Sequence, residues 1–290
     1  MGMETVEVTA PEHWPEAVAV TQTCDIPTVT GHATFNIHAL SERAYTRIAA
    51  ALPMPEPPKR KMGRREVVDD ADPAHLTRRA DVEFQRAVSV VDDCWQTLPG
   101  ADAAAKAAWV RGHLSRGGEF FRLHDAILGV SGFGSGVAER ADTTCAIASP
   151  EAWEKASEAP VHFAFERAGT RLRFRLCGVS GARLKAIEAV TDPGPPPTIP
   201  GPPSNIPGQH NAPVPNADDP EYKARAARMI DIGNALLLEA ALGVTLPGKD
   251  DGAKADWLAA RPAGEVYGLL NFLRYEVLSY RSRADFGFGG

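Results

Sequence analysis

The feature that most constrains this chain of 290 residues is a pattern that occurs twice. FNIHALSERAYTRIAAAL begins at Phe35, and FRLCGVSGARLKAIEAV begins at Phe174. Each stretch alternates apolar and polar residues as a half-buried strand does, and then changes to the apolar spacing of a helix. Ser41 and Ser180 stand at the two changes, where serine is a favoured N-cap. The pattern therefore predicts a strand followed by a capped helix in each half.

A proline-rich segment follows each of these predicted helices and ends in Asp-Pro. Asp72-Pro73 and Asp219-Pro220 fit an N-cap followed by proline at the first helical position. The stretches after them, 74–95 and 221–242, carry apolar residues along one face. Both stretches are therefore predicted to be long helices.

Further matches occur in the same order in the two halves. They are Lys106 and Trp109 with Lys254 and Trp257, Gly118-Glu119 with Gly264-Glu265, and Gly132-Phe133-Gly134 with Gly287-Phe288-Gly289. No single match is specific, but their common order over roughly 110 residues indicates an internal repeat. We expect an α+β fold of two similar modules, each a small antiparallel β-sheet followed by a helical bundle, with long proline-rich loops. The predicted boundaries are 1–134 for the first module, 135–158 for a linker and 159–290 for the second.

The glycine-rich stretch GVSGFGSGVA, residues 129–138, raises the possibility of a phosphate-binding loop. Such a loop needs a strand before it and a helix after it. GFG recurs close to the C-terminus as FGFGG, where no helix follows in this sequence. We therefore interpret GFG as a glycine C-cap that closes the last helix of each copy.

Composition excludes several classes of partner. A net charge of −6 disfavours broad binding of nucleic acid. The basic run KRKMGRR is soon followed by acidic residues and lacks the interleaved aromatic residues of a single-strand binder, so we interpret the loop as a solvated segment of mixed charge. The most apolar run, ALLLEAALGVTL, is too short to cross a bilayer, and the N-terminus carries no signal peptide. We expect no membrane partner, no nucleic-acid partner and a cytoplasmic location. The four cysteines are widely spaced, which favours free buried thiols.

No catalytic motif is present. HExxH, Walker A, GxSxG and EF-hand patterns are absent from the sequence, and Ser180 fits an N-cap better than a nucleophile. His32 with His38 and His113 with His124 have no nearby Cys or carboxylate pattern that would select a metal. We therefore predict no catalytic, cofactor-binding or metal-binding residues, and no enzymatic activity.

Two sets of residues are candidates for binding a protein partner. The first is the proline-rich segment, because an extended chain loses less entropy when it binds; its alternative interpretation is a semi-rigid spacer. The second is the pair of tryptophans, which are either interface anchors or members of the helical cores. The candidates are Pro195, Pro196, Pro197, Pro202, Pro203, Trp109 and Trp257.

The order of these features resembles the tail assembly chaperones of long-tailed bacteriophages. RFRLCGVSGARLKAIEAVTDPGPPP, ADDPEYKARAARMIDIGNALLLEAALGV and GEVYGLLNFLRYEVLSY carry the resemblance, which spans most of 160–282 and, more faintly, 15–131. It implies a protein that binds tape measure and tail tube proteins in the host cytoplasm, without catalysis. Two copies in one chain depart from the single copy usual in that family. A structural component of the virion tail or tail tip is therefore the alternative, and an enzyme with a site assembled from scattered residues is the third.

Overall fold

The computed structural model describes residues 4–28, 31–62, 65–114, 119–139, 161–167, 170–200 and 213–274. Over these residues the fold is mixed α+β, as expected, with small sheets and several helices. The helices are α1 (Glu42–Ala51), α2 (Pro73–Cys94), α3 (Ala103–His113), α4 (Glu119–Val130), α5 (Gly181–Val190), α6 (Pro220–Leu242), α7 (Asp251–Ala259) and α8 (Ala263–Phe272). Single 3₁₀ turns lie at Pro11–His13 and Ala17–Ala19.

The strands form one four-stranded sheet and three two-stranded sheets within the described residues. They are β1 (Glu4–Val8), β2 (Thr21–Thr28), β3 (Gly31–His38), β4 (Lys59–Met62), β5 (Arg65–Val68), β6 (Gly136–Glu139), β7 (Val161–Arg167), β8 (Thr170–Leu176), β9 (Thr198–Ile199) and β10 (Val214–Pro215). Strand order in the larger sheet is β1-β8-β7-β6. The two-stranded sheets are antiparallel pairs of β2 with β3, β4 with β5, and β9 with β10.

The predicted helix starts are confirmed. The side chain of each capping residue accepts a hydrogen bond from the backbone N–H three residues later, which satisfies one of the free donors in the first turn. Proline occupies the first position of α2 and α6. The predicted capping residues are Ser41, Asp72, Ser180 and Asp219. Asp102, which was not predicted, caps α3 in the same way.

The first GFG stretch ends a helix, as interpreted. Helix α4 finishes at Val130, and Gly132 and Gly134 have φ of 87° and 75°, in the left-handed region that favours glycine. The N–H of Phe133 donates to the carbonyl of Leu128 at 3.1 Å, a hydrogen bond typical of glycine-terminated helices. The second GFG stretch, 287–289, lies outside the described residues.

Strand pairing in the larger sheet corrects one expectation. We expected antiparallel sheets, but β1 pairs with β8 in parallel, from Glu4 with Thr170 to Val8 with Phe174. The alternation of apolar and polar side chains indicates which face of a strand is buried, but it does not indicate whether the strand runs parallel or antiparallel to its neighbour. Only a tight turn between two strands requires them to be antiparallel, and no such turn joins β1 to β8. Strand β6 falls inside the predicted linker 135–158, whose remainder lies outside the described residues.

The chain divides into two compact units. Unit 1 contains Met1–Glu139, Phe163–Phe174 and Ala259–Asn271, and unit 2 contains Arg140–His162, Arg175–Leu258 and Phe272–Gly290. Unit 1 therefore draws on three separate parts of the sequence. The predicted boundaries at 134 and 158 stay a prediction.

The core of unit 1 lies between the β2–β3 pair and helices α1 to α4. One face of the pair carries Ile26, Phe35 and Ile37, all buried, while its other face carries polar pairs such as Thr23 with Asn36. This alternation is that of a two-stranded sheet with one face against a core. Helix α4 packs against both strands and contributes buried Phe120, Leu123, Ile127 and Val130.

Unit 2 is mainly helical. Helix α6 is its long element, and α5 packs against it. Gly233 lies beside Thr191, and a Cβ on Gly233 would be at an ordinary contact distance of 3.5 Å from the Thr191 methyl group. Buried apolar side chains of the unit come from all three helices and from the segments beside them. They include Val179, Ile187, Leu236, Leu237, Leu238, Leu246, Ala255 and Leu258.

The element order of the first half recurs in the second. A strand pair, a ten-residue helix, a short strand pair, a long helix and two further helices occur in both, with α2 and α6 of 22 and 23 residues. The two sets do not coincide with the two units, because α8 and most of β7 and β8 belong to unit 1.

Candidate functional site

An open cavity of about 500 Å³ lies between three helices of unit 1. Positions 80, 84 and 87 are four and three residues apart on α2, so they share one helix face, and positions 121 and 124 share a face of α4 in the same way. We call this cavity the α2–α4 groove. Its walls are Ala80, Phe84 and Ala87 from α2, Arg111 from α3, and Phe121 and His124 from α4.

Arg111 lies over the ring of Phe84. The guanidinium carbon is 4.6 Å from the ring centroid, and Nη2 donates to Asp81 at 2.8 Å. Both ionic side chains are about half exposed, at 55% and 54%, so the ion pair contributes little to stability. The charge of Arg111 is therefore held at the rim of the groove, against an aromatic face that attracts it.

Phe121 presents apolar surface to solvent. Its neighbour Phe120 is 1% exposed and packs against Phe84 with ring centroids 5.3 Å apart, whereas Phe121 is 57% exposed. Successive helical residues point about 100° apart, and on α4 this turns Phe120 into the core and Phe121 towards solvent. An exposed aromatic side chain on the wall of an apolar cavity is typical of a protein-binding surface.

His124 adds no positive charge to the groove at neutral pH. Burial lowers the pKa of its imidazole, and the nearby carboxylate of Asp125, 3.6 Å away, opposes this effect without reversing it. The desolvated ring therefore favours its uncharged form. The inner part of the groove is consequently apolar, with charges confined to the rim.

The groove offers no nucleophile. Its lining contains no serine, cysteine or lysine. The carboxylate of Asp81 pairs with Arg111, and that of Glu83 pairs with Arg79 at 2.9 Å. An activated nucleophile needs a base within hydrogen-bonding distance, and no such pair lines this cavity.

The core of unit 1 also contains a cluster of buried polar and charged side chains. The carboxylate of Glu265, at 0% exposure, accepts a hydrogen bond from Trp14 Nε1 at 2.7 Å and one from Arg167 Nη1 at 2.6 Å. Arg261, 4% exposed, donates to the backbone carbonyl of Trp14 and pairs with Glu16 at 3.4 Å. We call Trp14, Arg167, Arg261 and Glu265 the Glu265 cluster.

Burial raises the pKa of Glu265 to about 7. The charge of Arg167, the indole N–H of Trp14 and the charge of Arg261 act in the opposite direction, but they do not outweigh the loss of water around the carboxylate. Burial likewise lowers the pKa values of both arginines. A raised carboxylate pKa often marks a catalytic acid. Here both oxygens are occupied and no surface is exposed, so the arrangement is structural.

Both predicted tryptophans lie partly inside their units. Trp109 packs against the core of unit 1 and stacks on His113, with centroids 4.7 Å apart and planes 12° apart. Trp257 lies half-buried on α7, in unit 2. Half-burial is compatible with both interpretations made from the sequence, so their role in binding stays a prediction.

The proline candidates are described only in part. Pro195 and Pro197 are exposed and Pro196 is half-buried, between α5 and β9. The N–H of Asn216 donates to the carbonyl of Pro197 at 2.6 Å, which fixes that end of the segment. Pro202 and Pro203 lie outside the described residues. The sequence thus identified an exposed segment, and its binding role also stays a prediction.

Sequence reasoning missed the residues of the groove and of the Glu265 cluster. The adjacent pair Phe120-Phe121 gave no reliable signal, because neighbouring helical residues can both be buried, as Leu236, Leu237 and Leu238 are on α6. Arg111 and Phe84 gave no signal, since 27 residues separate them in the sequence. Glu265 had been matched with Glu119, but its burial depends on tertiary packing that no local pattern encodes.

No group of three or more His, Cys, Asp or Glu side chains that could hold a metal ion occurs among the described residues. In the same part of the chain, no helix is both long enough and apolar enough to span a bilayer. Comparisons of the sequence and the fold with known protein families, curated proteins and solved structures gave no match.

Proposed function

We propose that this chain is a non-enzymatic bacteriophage tail assembly protein, similar in role to the tail assembly chaperones, that binds tape measure and tail tube proteins in the host cytoplasm. The observation that carries the proposal is the α2–α4 groove with exposed Phe121. Apolar walls, an open mouth and an aromatic residue at the edge are properties of a surface that receives another protein.

The charges at the rim favour a particular partner. The side chains of Asp81 and Glu83 are 54% and 52% exposed, so an incoming cation can share their carboxylates at little cost. An apolar groove between helices accepts a further helix through apolar residues three and four positions apart. The partner segment is therefore an amphipathic helix with an apolar stripe and a lysine or arginine beside it.

The polar clusters of the described core support the absence of catalysis. Glu265 is closed to solvent, and the partly buried ion pairs Lys106 with Asp92 and Lys254 with Glu239 fix backbone segments, as their hydrogen bonds to Leu98 and Leu246 indicate. Each of these carboxylates has a structural partner for both oxygens. None is arranged to act on a bound substrate.

The finer proposal is that the chain contains two copies of one module. The repeated element order supports it, together with the caps at Ser41 and Ser180 and at Asp72 and Asp219. Two linked copies raise the effective concentration of a second contact with a repetitive partner. The same repeat also suits the alternative function, a structural component of the virion tail or tail tip.

Binding of a tape measure segment tests the proposed site. We expect Phe121→Ala to weaken the complex between this chain and a helical tape measure fragment by about 30-fold, as for a central aromatic anchor. Ile230→Ala is the matched control, because Ile230 is an equally exposed apolar residue, at 61%, on a helix outside the groove. Titration calorimetry measures both. Equal affinities of the two variants and the wild type would overturn the assignment of the groove.

Mass spectrometry of purified phage particles separates the two roles. A chaperone-like protein copurifies with the tape measure protein from infected cells and is absent from finished particles. Stoichiometric presence in the particle supports the structural alternative and contradicts the chaperone role.

A further inference from the structure

A short segment near the C-terminus completes unit 1. Residues 259–265, here called the clasp, connect α7 to the first turn of α8 and lie against the N-terminal part of the chain. Four backbone hydrogen bonds hold them, from Ala17 N to Ala260 O (2.8 Å), Glu42 N to Arg261 O (2.9 Å), Ala263 N to Leu40 O (2.8 Å) and Gly264 N to Ser131 O (3.0 Å). Each bond joins residues far apart in sequence, so the clasp ties distant parts of unit 1 together.

Gly264, in the clasp, lies in close contact with the backbone of the turn after α4. A Cβ on this residue would lie 2.3 Å from the backbone nitrogen of Phe133, 2.5 Å from the carbonyl carbon of Gly132 and 2.7 Å from the carbonyl oxygen of Ser131. These neighbours are backbone atoms of the turn after α4 and cannot rotate away. Close contact of two backbones at this point therefore requires glycine.

The side chains of the clasp reach the same distant segments. Glu265 binds Trp14 near the N-terminus and Arg167 at the end of β7, and Arg261 binds the carbonyl of Trp14. A buried carboxylate between arginines leaves an uncompensated charge if one partner withdraws, which makes partial opening costly. All three sequence segments of unit 1 thus meet at Glu265.

Ser131 connects the clasp to the groove. Its carbonyl accepts the N–H of Gly264, its hydroxyl donates to the carbonyl of Ile127 at 2.6 Å, and the same hydroxyl accepts the N–H of Leu40 at 2.8 Å. Ile127 lies in α4, the helix that carries Phe121 and His124. A rigid series of hydrogen bonds therefore runs from Gly264 to one wall of the groove.

We propose that the clasp is the closing element of unit 1, so that its docking orders β3 and α4 and its release loosens the α2–α4 groove. The C-terminal part of the chain thereby controls a surface built from the N-terminal part. The inference concerns the free protein and does not depend on the identity of a partner.

Hydrogen exchange of the full chain tests this coupling. Gly264→Ala is expected to accelerate amide exchange in β3 and α4 by about tenfold or more, as local opening of a docked segment predicts. Gly112→Ala, on α3, is the matched control, because a Cβ there has no atom within 4 Å. Peptides from α6 in unit 2 give an internal reference. The measurement needs no partner, so its failure would leave the proposed function untouched.

Ser131→Ala is a milder second variant that keeps the test decisive if Gly264→Ala does not fold. It removes the hydroxyl link between Leu40 and Ile127 and is expected to accelerate exchange of β3 and α4 several-fold, again without change in α6. Faster exchange confined to 259–265 would show that the clasp is passive and overturn the proposal. Equal acceleration in α6 would overturn it as well, because the effect would then be general unfolding.

Discussion

Two corners of the molecule, one in each unit, are built from the same parts and differ by one residue in length. In unit 1, Asp92 near the end of α2 accepts hydrogen bonds from Lys106 Nζ and the N–H of Leu98, both at 2.6 Å. In unit 2, Glu239 near the end of α6 accepts from Lys254 Nζ and the N–H of Leu246, both at 2.9 Å. Each carboxylate thus fixes the chain between two helices.

Two features of the unit 2 corner compensate for its extra residue: the longer side chain of Glu239 and a different backbone conformation after α6. Leu98 follows its carboxylate by six positions and Leu246 by seven, so the unit 2 corner has one more residue to span. Helix α6 ends at Gly243 in the left-handed region, with φ of 66°, whereas α2 ends at Trp95 in the right-handed region. The extra methylene of glutamate then restores both hydrogen bonds. At each corner, therefore, the length of the carboxylate side chain must suit the length of the loop that it holds.

Both corners share the sequence Leu-Pro-Gly before the next helix. Gly100 and Gly248 have φ of 138° and 146°, and a Cβ on either would lie 2.6 Å from the backbone nitrogen of Lys106 or Lys254. Glycine is therefore required twice for the same reason, close approach of two backbone segments.

The largest expected effect is that of replacing these glycines. Gly100→Ala and Gly248→Ala should each lower the free energy of unfolding by about 3 kcal/mol, because the new methyl group meets backbone that cannot move aside. Urea unfolding followed by circular dichroism measures the loss. Gly129→Ala, with no atom within 4 Å of the new methyl group, should change stability little. Unequal losses at 100 and 248 would break the equivalence of the corners.

A pH titration contrasts the corner carboxylates, which are 23% and 13% exposed, with fully buried Glu265. Burial raises the folded-state pKa of Glu265 to about 7, above its ordinary value of 4.5, so protonation stabilises the fold. This stabilisation is complete below about pH 4.5 and is lost as the pH rises through 7, a change on the order of 3 kcal/mol. Glu265→Gln should abolish this contribution. A wild type that gains stability over Glu265→Gln between pH 5 and pH 8 would contradict it.

Conversion of the corner carboxylates to amides is expected to have the next largest effect. Asp92→Asn and Glu239→Gln keep their shape but remove the charge that pairs with Lys106 or Lys254, at a cost of about 1.5 kcal/mol each. Lys254 then keeps only Asp251, 3.7 Å away, as a carboxylate partner. Thermal unfolding compares the two variants. Asp70→Asn, an exposed carboxylate, serves as the control. A cost at only one corner would show that the second ion pair is dispensable.

Exchanging aspartate and glutamate between the two corners is expected to change stability least, and it compares the corners most directly. Asp92→Glu and Glu239→Asp keep the charge and change only the reach, so each should cost about 1 kcal/mol through poorer hydrogen bonds. Urea midpoints measure the cost. A neutral result for both exchanges would mean that side-chain length and loop length are not matched at these corners.

Local features were predictable because their causes are local. Ser41, Ser180, Asp72 and Asp219 cap helices through hydrogen bonds to residues three positions later, and such contacts need no knowledge of the fold. The turn after α4 was predictable for the same reason, since Gly132 must adopt a positive φ there.

The residues of the candidate site were not predicted. The sequence offered tryptophans and prolines as contacts for a partner, and that role stays a prediction. The sequence did not identify Phe84, Arg111 and Phe121, which three different helices bring together. It also gave no direction for β1, whose parallel partner β8 lies more than 160 residues away.

The sequence by itself determined the starts of α1, α2, α5 and α6 and the turn after α4, because capping side chains, prolines and glycines act over a few residues. Tertiary structure decided which elements share a core. It placed the clasp and the segment Phe163–Phe174 in unit 1, where buried Glu265 accepts hydrogen bonds from Trp14 and Arg167. That choice depends on the fit of surfaces and charges between segments remote in sequence, which no local pattern records.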